Sequence, residues 1–409
     1  MNVLLLGNGF DINYKLPTKY ANFLHVANHI ASQETENLKT LGDILSQEAL
    51  QKEDPFIKTC YETHKHILDY IAIDRDKINE LSTLVQKNKW FSFLLKSFNK
   101  DVGWIDFEKE IAFVISCFDR ILPQKGTMLL YKDNRDIKHV VEVFDFLIDE
   151  EATRKSYTIG GQVVKKEFCI EHPLGSGNFN VSKEKVAKFL YNELLELSHA
   201  LKLYLSCFVE STYDLLHKDG TCKRLSIFSK SNTAVTFNYT STYERLYFNK
   251  SAFHIHGQLS KNIVLGVNPN SYDNLESVDT SFITFKKYFQ RTMFETDYEY
   301  LRWISDIKHT NTTYRLIVMG HSLDVTDKDI ILDLFKYANE IIVLYHSDEA
   351  KASYIANLIT LHGKDGFDLL RKEQMLTFLP LDSDLSKLAE KMEQESYAQL
   401  VANMESHIV

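Results

Sequence analysis

A chain of 409 residues exceeds one ordinary hydrophobic core, which points to two or three structural units. A formal net charge of -9 sets the bulk field against polyanions, so nucleic acid is disfavoured as the main partner. The five cysteines, Cys60, Cys117, Cys169, Cys207 and Cys222, are odd in number and form no C-x-x-C pair, so neither a disulfide framework nor a zinc ribbon fits; with no run that reads as a membrane span or a signal-peptide core, a reduced cytoplasmic protein is expected.

In chain order, Val3 to Leu6 is a short, wholly apolar run followed by glycine, the pattern of a strand buried on both faces in a parallel sheet. GNGFD (Gly7 to Asp11) follows, and Thr18 opens a helical segment with Tyr20, Phe23, Leu24 and Val26 crowded on one side. From about Glu34 to Ile121 apolar positions recur at helical spacing, as in Ile67, Leu68 and Ile71. Tyr157 to Cys169 alternates β-branched residues about Gly160-Gly161, a hairpin signal, and Ser182 caps a long amphipathic helix running toward Leu216.

After Ser229 the rhythm is strand and helix in alternation. Ala234–Thr240, Phe253–Gly257, Asn262–Val267, Tyr314–Gly320 and Glu340–His346 are compact apolar runs, which implies a doubly wound parallel sheet that the N-terminal strand joins. The expected architecture is α/β and Rossmann-like. Residues 1–30 and 230–380 form the nucleotide-binding core, 31–229 a large, mainly helical insertion with a hairpin near 157–169, and 381–409 a helical tail.

A glycine turn between a buried strand and a helix leaves amide groups free to attract phosphate, but G-x-G alone serves equally well as a tight structural turn. Three further strand ends carry suitable polar residues: Asn238 in TFNYT, His256-Gly257 in HIHG, and Gly320, Ser322 and Asp324 in GHSLDVTD. Ligands of open α/β sheets collect outside the carboxyl ends of the strands, so the four blocks converge on one candidate site.

The start GNGFDINYKLPTKYANFL, with TFNYTSTYE and HIHG downstream, resembles the AbiH family of bacterial phage abortive-infection proteins. The same blocks in the same order are similar to the sirtuin-type NAD-binding fold. That family's G-A-G-[IV]-S loop, with proline ten positions after its first glycine, is matched by Gly7, Asn8, Gly9, Phe10 and Asp11 with Pro17. Its T-Q-N-I-D resembles Thr236 to Thr240, its catalytic H-G matches His256-Gly257, and its G-T-S-L-x-V-x-P matches Gly320, His321, Ser322 and Leu323 onward except at the second and last positions. The resemblance implies NAD as ligand or substrate, Asn238 orienting ribose and water, His256 as base, and Gly7 to Asp11, Pro17, Thr236 and Gly320 to Leu323 around the cofactor.

Two departures stand out. The zinc-ribbon cysteines of sirtuin deacylases are missing, so NAD hydrolysis to nicotinamide and ADP-ribose is expected rather than lysine deacylation. The loop serine has become Asp11, and the aspartate two places after the asparagine has become Thr240.

Simpler roles stand beside these. His254 and His256, two apart on a strand, would share a face, but no third ligand at telling spacing appears, so no metal is expected and His254 reads as a core histidine. Asn238 could cap a helix starting near Thr240. Trp104 to Glu108 introduces a helical apolar pattern, Ile111, Val114, Ile115 and Phe118, which a buried helix explains; Glu108 facing the cleft is the alternative. The competing functional class is a module that senses NAD or ADP-ribose without turnover and acts through a protein partner, with a protein trigger or a homo-oligomer as further expectations.

Overall fold

The computed structural model describes residues 1–33, 37–98, 105–122, 134–146, 156–159, 162–171, 179–218, 224–247, 250–268 and 280–406. Six strands, β1 (Asn2–Leu6), β2 (Thr233–Thr236), β3 (Ala252–His254), β4 (Tyr314–Met319), β5 (Ala338–Tyr345) and β6 (Leu376–Pro380), pair in parallel to form one sheet. Their spatial order is 6-5-4-1-2-3, the order of doubly wound nucleotide-binding sheets, with the reversal of winding between β1 and β4.

The wholly apolar β1 is explained by its place in the middle. Leu4 and Leu6 pack with Ile317, Met319, Ile342 and Leu344 on one face, while Val3 and Leu5 pack with Leu316, Val318, Ile341 and Val343 on the other. All four β1 residues from Val3 to Leu6 are fully buried, and each such side chain stabilises the fold by about 1.5–3 kcal/mol.

On one face lie the helical elements between β1 and β2. The 26-residue helix Lys183–Phe208, capped by Ser182 as its sequence predicts, is their spine. Trp90 Nε1 donates to Leu190 O at 2.8 Å, and Tyr204 Oη donates to Pro17 O at 2.8 Å. The opposite face is covered by helices Tyr298–Thr310, Lys328–Tyr337 and Asp348–Lys372. Strands Ser156–Ile159 and Gln162–Lys165 pair antiparallel, as the expected hairpin requires; Gly160, Gly161, Trp104, Cys222 and the GSG at 175–177 fall outside the described residues.

Four elements differ from the sequence pattern. GNGFD is not an open loop: Gly7 caps a short helix, Asn8–Asn13, so Gly9 is helical. Asn262–Val267 is no sheet strand; it makes only isolated bridges, Gly257 with Ile263 and Val267 with Lys286. The edge strand β6 carries only partly buried side chains, so its apolar signal is weak. Gly363 interrupts the regular helical geometry of the span Asp348–Lys372 with φ of 70°.

Candidate functional site

The site lies at the carboxyl ends of β1, β2, β3 and β4, and it begins with three glycines. Gly9 N–H donates to Gly320 O at 2.9 Å and Gly7 N–H to Met319 O at 3.1 Å, tying the segment after β1 to the segment after β4. A Cβ on Gly9 would lie 2.5 Å from Gly320 Cα, and one on Gly320, whose φ is +69°, would lie 2.3 Å from Phe10 N. These glycines therefore let two backbones touch at the point where the winding reverses. The amides of Gly7, Gly9 and Phe10 are all engaged within the protein, Phe10 N–H donating to Gly7 O at 2.9 Å.

Asn238, just past β2, donates Nδ2–H to Gly7 O at 3.1 Å, and its Oδ1 makes no hydrogen bond among the described residues. It caps nothing: helix Thr242–Leu246 starts from Ser241 without a side-chain cap. Thr236 Oγ1 accepts from Asn238 N–H at 3.1 Å, fixing the turn that presents the amide.

Asp11 is buried and turned inward, where Thr240 Oγ1 donates to its Oδ2 at 2.5 Å; Thr242 and Tyr213 extend the chain of hydroxyls. Burial pushes Asp11 up to about 7 against the two threonine hydroxyls, and its Oδ1 is buried without a partner. The two departures from the sirtuin-like pattern, Asp11 and Thr240, are thus each other's partners.

His254 and His256 part company because β3 ends at His254. His254 sets Nδ1 against Asn238 O at 3.0 Å and Nε2 against Glu244 Oε1 at 2.7 Å. His256 turns the other way and donates Nε2–H to Asp327 Oδ1 at 3.1 Å, with no protein partner for Nδ1 among the described residues.

Asp327 is the hub of a buried ionic cluster. Lys287 Nζ lies 2.8 Å from Asp327 Oδ1 and 2.7 Å from Glu108 Oε1, bridging the two carboxylates. Leu323 N–H donates to His321 Nδ1 at 3.0 Å, which leaves the proton of that neutral ring on Nε2, 3.7 Å from Asp327 Oδ2. The ring of Phe237 stands between the imidazoles, 4.9 Å from His256 and 4.3 Å from His321.

Against the cost of burial, Lys287 and then His256 hold Asp327 well below the usual carboxylate range. Burial, then the neighbouring Lys287 charge, lowers His256 to about 4, so its ring is neutral near pH 7. Burial raises Glu108 to about 7 against the pull of Lys287, and its Oε2 is buried without a partner. Glu108 therefore faces this cluster, held there by helix Phe107–Ile121, whose cap Asp106 Oδ1 accepts from Glu108 N–H at 3.0 Å and whose Phe107 stacks on Tyr20 at 4.0 Å.

The remaining sequence candidates divide by environment. Phe10, Pro17 and Leu323 are packed inside the protein, Phe10 against Tyr14, Phe228 and Tyr243. Asn8 is exposed and exchanges hydrogen bonds with Thr18; Ser322 is exposed, its carbonyl accepting from Asn357 Nδ2 at 2.8 Å. Gly7, Gly9, Asp11, Asn238, His256, Gly320 and His321 come together; Asn8 and Ser322 lie on the rim. Sequence reading missed Asp327 and Lys287. Asp327 was visible as the acidic residue that ends GHSLDVTD, but Lys287 lies in no motif. Among the described residues no group of three or more His, Cys, Asp or Glu side chains is arranged to hold a metal ion.

Residues 3–347 match the family model described as bacteriophage abortive infection AbiH. The chain belongs to the AbiH family. No curated protein and no solved structure matches it. The AbiH match ends just after β5, so β6 and the C-terminal helix Ser386–Ser406 lie beyond it, although Leu385, Ala389 and Met392 are buried in the common core. Among the described residues of this AbiH chain, no helix is long and apolar enough to cross a membrane.

Proposed function

We propose that this AbiH protein is a phage-defence effector that hydrolyses a nucleotide at the carboxyl edge of its sheet, with NAD as substrate and nicotinamide and ADP-ribose as products. The observation that carries the reading is the meeting of Asn238, His256, His321 and Asp327 with the Gly7–Gly9 segment at the reversal point of a doubly wound sheet, where such folds hold nucleotides. The sirtuin-like spacing of these blocks supports the same ligand.

The chemistry asks little of the protein. As the bond from ribose to the nicotinamide nitrogen breaks, its electron pair neutralises the pyridinium, so the leaving group needs no acid. Water forms the new bond to the same carbon and gives up a proton. Asn238 Oδ1 is an unengaged acceptor for that water, and the neutral His256 ring takes the proton on Nδ1, the resulting charge being stabilised by Asp327.

The test is incubation of the purified full chain with NAD while nicotinamide release is followed. Turnover that falls by about 10²–10⁴-fold in Asn238→Ala and His256→Ala is expected. A second reading, nucleotide sensing without turnover, draws on the closure of the site: Asn238 is 8% exposed and His256 6%. Saturable NAD binding without nicotinamide release would favour it, and the absence of both binding and release contradicts both readings.

A further inference from the structure

We infer that a pocket beside the ionic cluster, apart from Asn238 and His256, binds the phosphates of a nucleotide. It has a volume of about 320 Å³ and is walled by Lys287, Tyr288, Arg291, Thr326, Lys328 and Asp329, among others. That volume is at the low end for small-molecule sites, so the pocket suits one phosphorylated half of a dinucleotide rather than the whole.

The case rests on unengaged donors. Arg291 is only 4% exposed, Asp329 takes one end of its guanidinium, and its Nε has no hydrogen-bond acceptor, the nearest carboxylate oxygen, of Asp297, lying 3.4 Å away. Lys328 makes no ion pair and the Thr326 hydroxyl no hydrogen bond among the described residues. Lys287 directs two of its three N–H groups to Glu108 and Asp327, which leaves one. The buried Arg291 Nε without an acceptor is costly, and with the half-buried Lys328 and Thr326 at the same hollow it is matched by an anion with several oxygens. Tyr288, 44% exposed, supplies an aromatic wall for the attached nucleoside.

Charge adds to the same argument. Lys287 and Arg291 are matched by Glu108, Asp327, Asp329 and Asp297, which leaves Lys328 as the lining cation with no ion pair among the described residues. In the glycine segment after β1 the amides of Gly7, Gly9 and Phe10 are engaged within the protein. As a subsite for the substrate the pocket rests on the hydrolase reading, with Lys287 as the wall the two share. As an anion site it does not.

The experiment is calorimetric titration of the full chain with ADP, and with adenosine as the control that lacks phosphate. ADP is expected to bind saturably, to weaken as salt is raised, and to weaken about tenfold in Lys328→Gln and in Thr326→Val. Arg291→Gln removes a buried cation and endangers folding, so the two milder variants carry the test. The proposal is overturned if ADP fails to bind at millimolar concentration, if adenosine binds equally well, or if both mild variants bind ADP like the parent. Nicotinamide release from NAD by a chain that fails these ADP tests would overturn the pocket and leave the hydrolase reading standing. ADP binding that follows Lys328 and Thr326 in a chain without NAD turnover would uphold the pocket and end that reading.

Discussion

Asp11 illustrates how one side chain changes meaning once its neighbours are known. In the sequence an acid beside a glycine turn repels phosphates; in the fold it is buried, takes the Thr240 hydroxyl and faces no ligand. Its burial has a measurable consequence. Because burial raises its folded value to about 7 from an ordinary value near 4, the folded chain binds this proton more tightly than the unfolded chain across that window. Its contribution is fully present below the unfolded value, declines as pH rises through the folded one, and is constant above it. Asp11→Asn has no proton to lose. Denaturation at pH 5 and pH 8 is expected to show the parent losing about 2 kcal/mol more than the variant over that interval. Equal losses would mean that Asp11 is already ionised in the folded chain at pH 5.

At the scale of elements, the contact between the β1 and β4 ends positions everything else in the site. Gly320→Ala combines a positive φ with a clash against the Phe10 backbone, so the two segments must separate. The expected cost is about 2 kcal/mol or more, read as a fall in melting temperature, with loss of phage protection. Gly363→Ala has a similar φ but open space around it, and phage protection is expected to survive that change. If Gly320→Ala melts like the parent, the close approach is not what sets the site. The apolar runs of β1, β4 and β5 were legible because central strands bury both faces, and four apolar residues in a row say so. Edge strand β6 was missed because its residues are only partly buried, and Asn262–Val267 misled because its buried Val264 and Leu265 line a loop under helix Lys287–Phe294, where Gln290 takes both polar groups of Leu265.

For the whole molecule, the site is a product of topology. Asp11, Glu108, Asn238, His256, Lys287 and Asp327 are spread over more than three hundred positions, and they meet because β4 crosses to the far side of β1. The sequence marked Asn238, His256 and His321 because each follows an apolar run, as a strand-end residue must. Lys287 begins a helix after a short 3-10 turn, Ile283–Phe285, rather than after a strand, and Glu108 sits in a helical pattern that burial alone explains, so their roles became visible only when the helix Phe107–Ile121 was seen against the sheet edge. A packed glycine and a phosphate-binding one read alike in sequence, because both positions require only the missing side chain.

We propose that this carboxyl edge is where the protein acts. The most direct measurement is phage plating on cells that carry the parent chain, Asn238→Ala or His256→Ala, each confirmed to be folded and present at equal levels. The parent is expected to protect and both variants to lose protection. Protection by both variants equal to that of the parent would contradict it.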